Sequence, residues 1–178
     1  MRKLLNEELN RKTVAEFKEA KKLPLVVVLD NVRSQNNIGS VFRTCDAFLV
    51  EKLFLCGITS VPPNKEIHKT ALGATETVEW KYFQNTEDAI HQLRNEGFCI
   101  LCIEQAEQSV MLNDYKPDVE QKYGIVLGNE VRGVEQHVVD QSDLCIEIPQ
   151  LGSKHSLNIA VSAGIVIWDL FTKFQQDK

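Results

Sequence analysis

Residues Leu25-Val26-Val27-Val28-Leu29 form an unbroken apolar, β-branched-rich run between Pro24 and Asp30. A strand with one face in water alternates polar and apolar side chains. A strand with no polar position must be covered on both faces, as in a parallel sheet layered between helices. The rest of the chain repeats this arrangement. Leu53-Phe54-Leu55-Cys56, Phe98–Ile103, Lys122–Leu127 and Leu144–Ile148 also read as strands, and Thr77–Phe83 alternates like one. Between them, Ile38, Val41, Phe42 and Cys45 recur at helical spacing. Glu66–Leu72, Glu87–Arg94 and the long Leu157–Phe174 read as further helices, and Thr13–Lys22 as an amphipathic one closed by Pro24. Six strands alternating with helices predict an α/β fold with a mainly parallel sheet flanked by helices. At 178 residues and 43% hydrophobic content, one domain with one sizeable core is expected.

The net charge of −5 argues against indiscriminate nucleic-acid binding, which needs an excess of Lys and Arg to neutralise phosphates. It leaves room for a local patch. Arg33, Arg43, Lys65, His68, Lys69, Arg132, Lys154 and His155 fall in or beside predicted loops, which suggests a basic mouth on an acidic body. The five cysteines (Cys45, Cys56, Cys99, Cys102, Cys145) are odd in number and scattered through apolar stretches, so reduced thiols and a cytoplasmic location are expected. Cys99-x-x-Cys102 lies within a strand whose alternation sends the two side chains to opposite faces, which disfavours a redox pair. The N-terminus meets a charge every few residues and has no apolar core for a signal peptide, and no run reaches membrane-spanning length.

Three polar segments each follow an apolar run: Asn31–Arg43, Leu127–Gly133 and Ile148–Asn158. In open α/β sheets, ligands bind beyond the carboxyl ends of the strands, so the three predict one composite site. The G-x-G-x-x-G of dinucleotide-binding domains, the Walker A loop and zinc-type Cys/His spacing are all absent. Each segment also has a purely structural reading. Asn37 fits a helix cap, Gly128 and Gly133 fit turns, and Ser156 and Asn158 fit the cap of the last helix.

Taken together and in this order, Asn37-x-Gly39-x-x-x-Arg43, Leu127-Gly128-Asn129-Glu130-x-x-Gly133, and Ile148-Pro149 with Ser156-Leu157-Asn158 resemble the three motifs of the SpoU (TrmH-type) RNA ribose 2′-O-methyltransferases of the SPOUT superfamily. The resemblance spans about residues 25–170. It implies a trefoil knot at the C-terminal end, an exception to the unknotted rule that periodicity alone would not reveal. It divides the chain into an N-terminal helical extension, 1–24, and a methyltransferase domain, 25–178. It also implies S-adenosylmethionine as cofactor, RNA as substrate and a homodimer, with neither a membrane nor a metal involved.

By the same match, Gly128, Ile148 and Leu157 hold the cofactor, with Ile103 and Glu104 at the preceding strand end. Gly128 and Gly152 let the backbone close around it. Arg43 matches the catalytic arginine, and Asn37, Glu130, Ser156 and Asn158 match the other polar site residues. A ribose hydroxyl needs its proton removed or shared before it attacks. A guanidinium stays charged at ordinary pH, so the match leaves two roles open for Arg43: a strongly perturbed base, or a group that holds phosphate and ribose in line. Arg33, Lys69, Lys154 and His155 are the candidates for RNA contact. The short segment before the first strand leans the expectation towards tRNA, and within it guanosine. Ribosomal RNA, or a non-catalytic RNA-binding protein of the same fold, is the alternative.

Overall fold

The computed structural model describes residues 1–176, so the last two residues of the expected 25–178 domain lie outside it. Seven strands make one sheet: β1 Leu23–Asp30, β2 Val50–Cys56, β3 Glu79–Phe83, β4 Phe98–Ile103, β5 Val110–Met111, β6 Lys122–Leu127 and β7 Leu144–Glu147. The order is β3-β2-β1-β6-β4-β7-β5, and every pairing is parallel. All carboxyl ends therefore lie along one edge. The helices are α1 Val14–Glu19, α2 Gln35–Ala47, α3 Lys65–Ala71, α4 Ala74–Thr77, α5 Thr86–Asn95, α6 Gln136–Asp140 and α7 Ile159–Gln176. No helix among the described residues is long and apolar enough to cross a membrane.

The apolar run of β1 divides between two cores by its period of two. Leu25, Val27 and Leu29 pack with residues of α1, α2, α3, α4 and α7, whereas Val26 and Val28 pack with Ala89, Ile90 and Leu93 of α5 and Val138 of α6. All five β1 side chains are fully buried, each contributing about 1.5–3 kcal/mol of hydrophobic stabilisation. The same alternation puts Cys99 against the first core and Cys102 in the second. All five cysteines are free thiols. Burial pushes the Cys56 thiol up to about 12 and Cys45 higher still.

Four features depart from the sequence reading. The sheet has seven strands rather than six, because two-residue β5 is too short to carry a pattern. The alternation read as a strand from Thr77 begins at Glu79. Ala74–Thr77 is instead a helical turn in which the Thr77 hydroxyl donates to Asp46 and to the Ala74 carbonyl. Helix α6, one turn and a half, was not expected. Strand β1 begins at Leu23, ahead of the start expected at Leu25, and Phe17 of α1 is buried in the main core.

Candidate active site

Strands β1 and β6 lie side by side, but their connections run in opposite directions, to β2 and to β7. This is the switch point at which parallel α/β sheets open a crevice. The β6–α6 loop folds back over it. Asn129 and Gly133 exchange backbone hydrogen bonds of 2.9 and 2.8 Å. Asn129 Oδ1 accepts from the N–H groups of Val131 (2.9 Å) and Arg132 (3.2 Å), while its Nδ2 donates to the Asn31 carbonyl (2.8 Å). Gly133 takes the left-handed conformation this turn requires, at φ +70°. Gly128 passes so close to the returning chain that a Cβ would collide with the Gly133 and Val134 backbone.

Glu130 ties this loop to the next element. Its carboxylate accepts from the N–H groups of Arg33 (3.0 Å) and Ser34 (2.9 Å) just ahead of α2, and from Asn37 Nδ2 (3.2 Å). Asn37 Oδ1 in turn accepts from Asn158 Nδ2 (3.1 Å). Asn158 also caps α7, its Oδ1 accepting from the Ala160 and Val161 N–H groups at 2.9 and 3.4 Å. Asn158 thus caps the last helix and also lines the crevice. Three segments, 93 and 121 residues apart in pairwise contact, are joined through one carboxylate–amide–amide chain from Glu130 through Asn37 to Asn158.

Partial burial pushes the Glu130 pKa up, but the Arg33, Ser34 and Asn37 donors outweigh it and hold the carboxyl below its ordinary range. A lowered carboxylate pKa stabilises the fold above the unfolded value of about 4.3, and that contribution is lost as pH falls through the lowered value. Glu130→Gln is therefore expected to lower stability at neutral pH. The gap to the parent should close as pH falls below about 4, as measured by urea denaturation across pH. A gap that is constant across pH would contradict this.

The crevice has a volume of about 990 Å³. Ile103, Glu104, Gly128, Ile148 and Leu157, the five expected cofactor residues, all line it, as do Glu130, His155, Ser156 and Asn158. Asn37 reaches it only through Glu130 and Asn158. The Glu104 carboxylate braces the wall, accepting from the N–H groups of Val134 (3.1 Å) and Gln105 (2.9 Å). Sequence reasoning missed Gln105, whose Nε2 donates to the His155 carbonyl (3.0 Å), and the brace role of Asn129. An Asn opening a polar turn after a strand signals such an Asx turn. Nothing local marks Gln105.

Other expected residues lie elsewhere. Arg43 is exposed on α2 and does not line the crevice. Arg33 joins through its backbone only, and its side chain is exposed. Lys69 lies on α3, paired with Glu66 at 2.7 Å, and Lys154 is exposed on the β7–α7 loop. Gly152 was expected as a close-approach glycine, yet a Cβ there would meet nothing within 4 Å, so no protein contact requires its missing side chain.

A parallel α/β domain with a wrapped crevice at its switch point is the class defined by this fold and site. The chain belongs to the SpoU rRNA Methylase family, which it matches over residues 24–168. It is 32% identical over 161 residues to a TrmH family protein of Staphylococcus saprophyticus, a match covering 90% of this chain and 63% of that one. The chain spans about three fifths of the length of the curated relatives it matches. Among solved structures it is similar to the A. aeolicus TrmH/SpoU tRNA modifying enzyme, at TM-score 0.81 and 26% identity, covering 92% of this chain and 82% of that one. It is also similar to the AdoMet-bound rRNA methyltransferase of Sinorhizobium meliloti, at TM-score 0.77 and 27% identity, covering 86% and 59%.

Proposed function

We propose that this chain transfers a methyl group from S-adenosylmethionine to a ribose 2′-hydroxyl of RNA, as a homodimer. The observation that carries the reading is the convergence of Ile103, Glu104, Gly128, Ile148 and Leu157 on one crevice, with the Glu130–Asn37–Asn158 chain at its edge. The crevice suits the cofactor. Ile103, Leu127, Val134, Ile148 and Leu157 offer apolar walls for adenine, and Glu104 and Glu130 give a negative field for a sulfonium. When bound, S-adenosylmethionine supplies a methyl group on an already activated leaving group. The work left to the protein is to orient the ribose and ease its proton away.

Arg43 points to the dimer. It lies on the side of α2 where Asn36 and Ala47 are also exposed, outside its own crevice. The same region carries an unpartnered apolar stripe on α7: Val161 50%, Ile165 36% and Trp168 54% exposed. Phe48, which follows α2, packs edge-on against Trp168 (ring centroids 5.7 Å apart), so the two exposed surfaces adjoin. A contiguous apolar patch of this kind marks an interface. A second copy seated there would bring its Arg43 to this crevice. Gly164, with nothing near its Cβ position, leaves room for close backbone approach. Trp168→Asp is expected to convert the dimer to a monomer in analytical ultracentrifugation and to abolish transfer. A parent protein that is itself monomeric and active would contradict it.

The trefoil knot is part of the same reading. Strand β5 pairs with the far side of β7, so residues 104–109 arch over the point where β7 leaves the sheet. The Gln105–His155 hydrogen bond ties that arch to the departing segment. In the cytoplasm the substrate would be tRNA, with guanosine as the nucleotide, and ribosomal RNA is the competing class. Labelled S-adenosylmethionine incubated separately with total tRNA and total ribosomal RNA decides between them. Label in tRNA supports the preference, and label only in ribosomal RNA overturns it.

A further inference from the structure

A second cavity, of about 770 Å³, opens between the β2–α3 loop and β3, away from the crevice. Its walls are flat and apolar: the rings of Pro62 and Pro63 and the half-buried indole of Trp80. Its rim is basic. Lys65 and Lys69 are both exposed, and among the described residues Lys65 has no carboxylate within 4.0 Å. Lys69 pairs with Glu66, an exposed contact of little net strength that a phosphate can displace. Glu76 is the one acidic lining residue.

The cavity is fixed rigidly to the site. Gly39 of α2 lies against Ile67 and Thr70 so closely that a Cβ there would collide with the Ile67 carbonyl. The Thr70 hydroxyl donates to the Asn36 carbonyl (3.0 Å), one residue from Asn37. Asn36, exposed in the first turn of α2, therefore joins the two: its carbonyl meets Thr70 of α3, and its neighbour Asn37 meets Glu130 at the crevice edge.

We propose that this cavity is an RNA subsite. It takes one unpaired nucleobase flanking the methylated nucleotide, stacked on Trp80, with the adjoining phosphate at Lys65 and Lys69. The inference rests on the RNA reading of the crevice. Aromatic faces hold any base by stacking, and ammonium groups alongside hold its backbone.

The chain has two tryptophans, so the conservative Trp168→Phe, its association state matched to the parent by ultracentrifugation, leaves Trp80 as the sole tryptophan. Titrating this variant with total tRNA, and separately with total ribosomal RNA, is expected to quench Trp80 emission. The midpoint should match that of binding followed by anisotropy of end-labelled RNA. Trp80→Phe should lose the quench. Trp80→Ala should weaken RNA binding by about ten- to a hundredfold with S-adenosylmethionine binding unchanged, and Trp80→Phe should keep most of the affinity. RNA binding that leaves Trp80 emission unchanged overturns the subsite and leaves the proposed function standing. Quenching that tracks protein concentration rather than RNA also overturns it, in favour of a protein occupant. If neither RNA binds the parent protein in the anisotropy assay, the RNA reading falls and the subsite with it. The fluorescence test does not depend on whether Trp80→Ala folds.

Discussion

Replacing Arg43 by alanine is expected to lower methyl transfer by about a thousandfold while leaving S-adenosylmethionine binding and stability unchanged. The expectation follows from its position. Arg43 is exposed, has no hydrogen bond or ion pair among the described residues, and lies outside the crevice, so the fold loses nothing with it. If it serves the crevice of a second copy, defects in different protomers must complement. Mixed with an Asn158→Ala chain and allowed to exchange subunits, Arg43→Ala should recover about a quarter of parental activity. Half the dimers are then mixed, and each has one complete site. No recovery, with exchange verified, would return Arg43 to its own crevice. Lysine at this position should rescue poorly, because an ammonium lacks the planar fork that holds a phosphate at two points.

The second large effect is expected at Gly128. A Cβ there meets the Gly133 and Val134 backbone, which has no rotamer with which to yield, so the loop must open. Gly128→Ala is expected to cost about 1–3 kcal/mol in urea denaturation and to weaken cofactor binding by at least about tenfold in calorimetry. The loop that would open carries Glu130 and the crevice wall, so stability and binding should fall together. Gly152→Ala, where a Cβ meets nothing within 4 Å, is the matched control and should change stability little. Normal binding by Gly128→Ala would mean that the wrapped loop is not what holds the ligand.

The all-apolar β1 run announced the two-sided sheet, and the polar segments after β1, β6 and β7 announced the crevice at which they meet, because both are signals within a few neighbouring residues. What stayed hidden depends on distant partners. Glu130 meets Asn37 across 93 residues and Asn37 meets Asn158 across 121. No local pattern encodes those pairings, and only the ordered motifs suggested them. Glu104 was named through the family match, but its contact as a brace depends on the position of Val134, 30 residues on. Strand β5 and helix α6 are too short to show a period. The place of Arg43 outside the crevice is a fact about which side of α2 faces solvent. Helical spacing constrained that side without saying what lies opposite.

Alkali distinguishes methyl transfer to a ribose from transfer to a base directly. A free 2′-hydroxyl attacks the adjacent phosphate and cleaves the chain, whereas a methylated one does not. After incubation with tritium-labelled S-adenosylmethionine and total tRNA, and separately ribosomal RNA, alkaline hydrolysis should leave the label in resistant dinucleotides, and Arg43→Ala should abolish it. Label released entirely in mononucleotides would place the methyl group on a base. No label in either RNA would contradict the account outright.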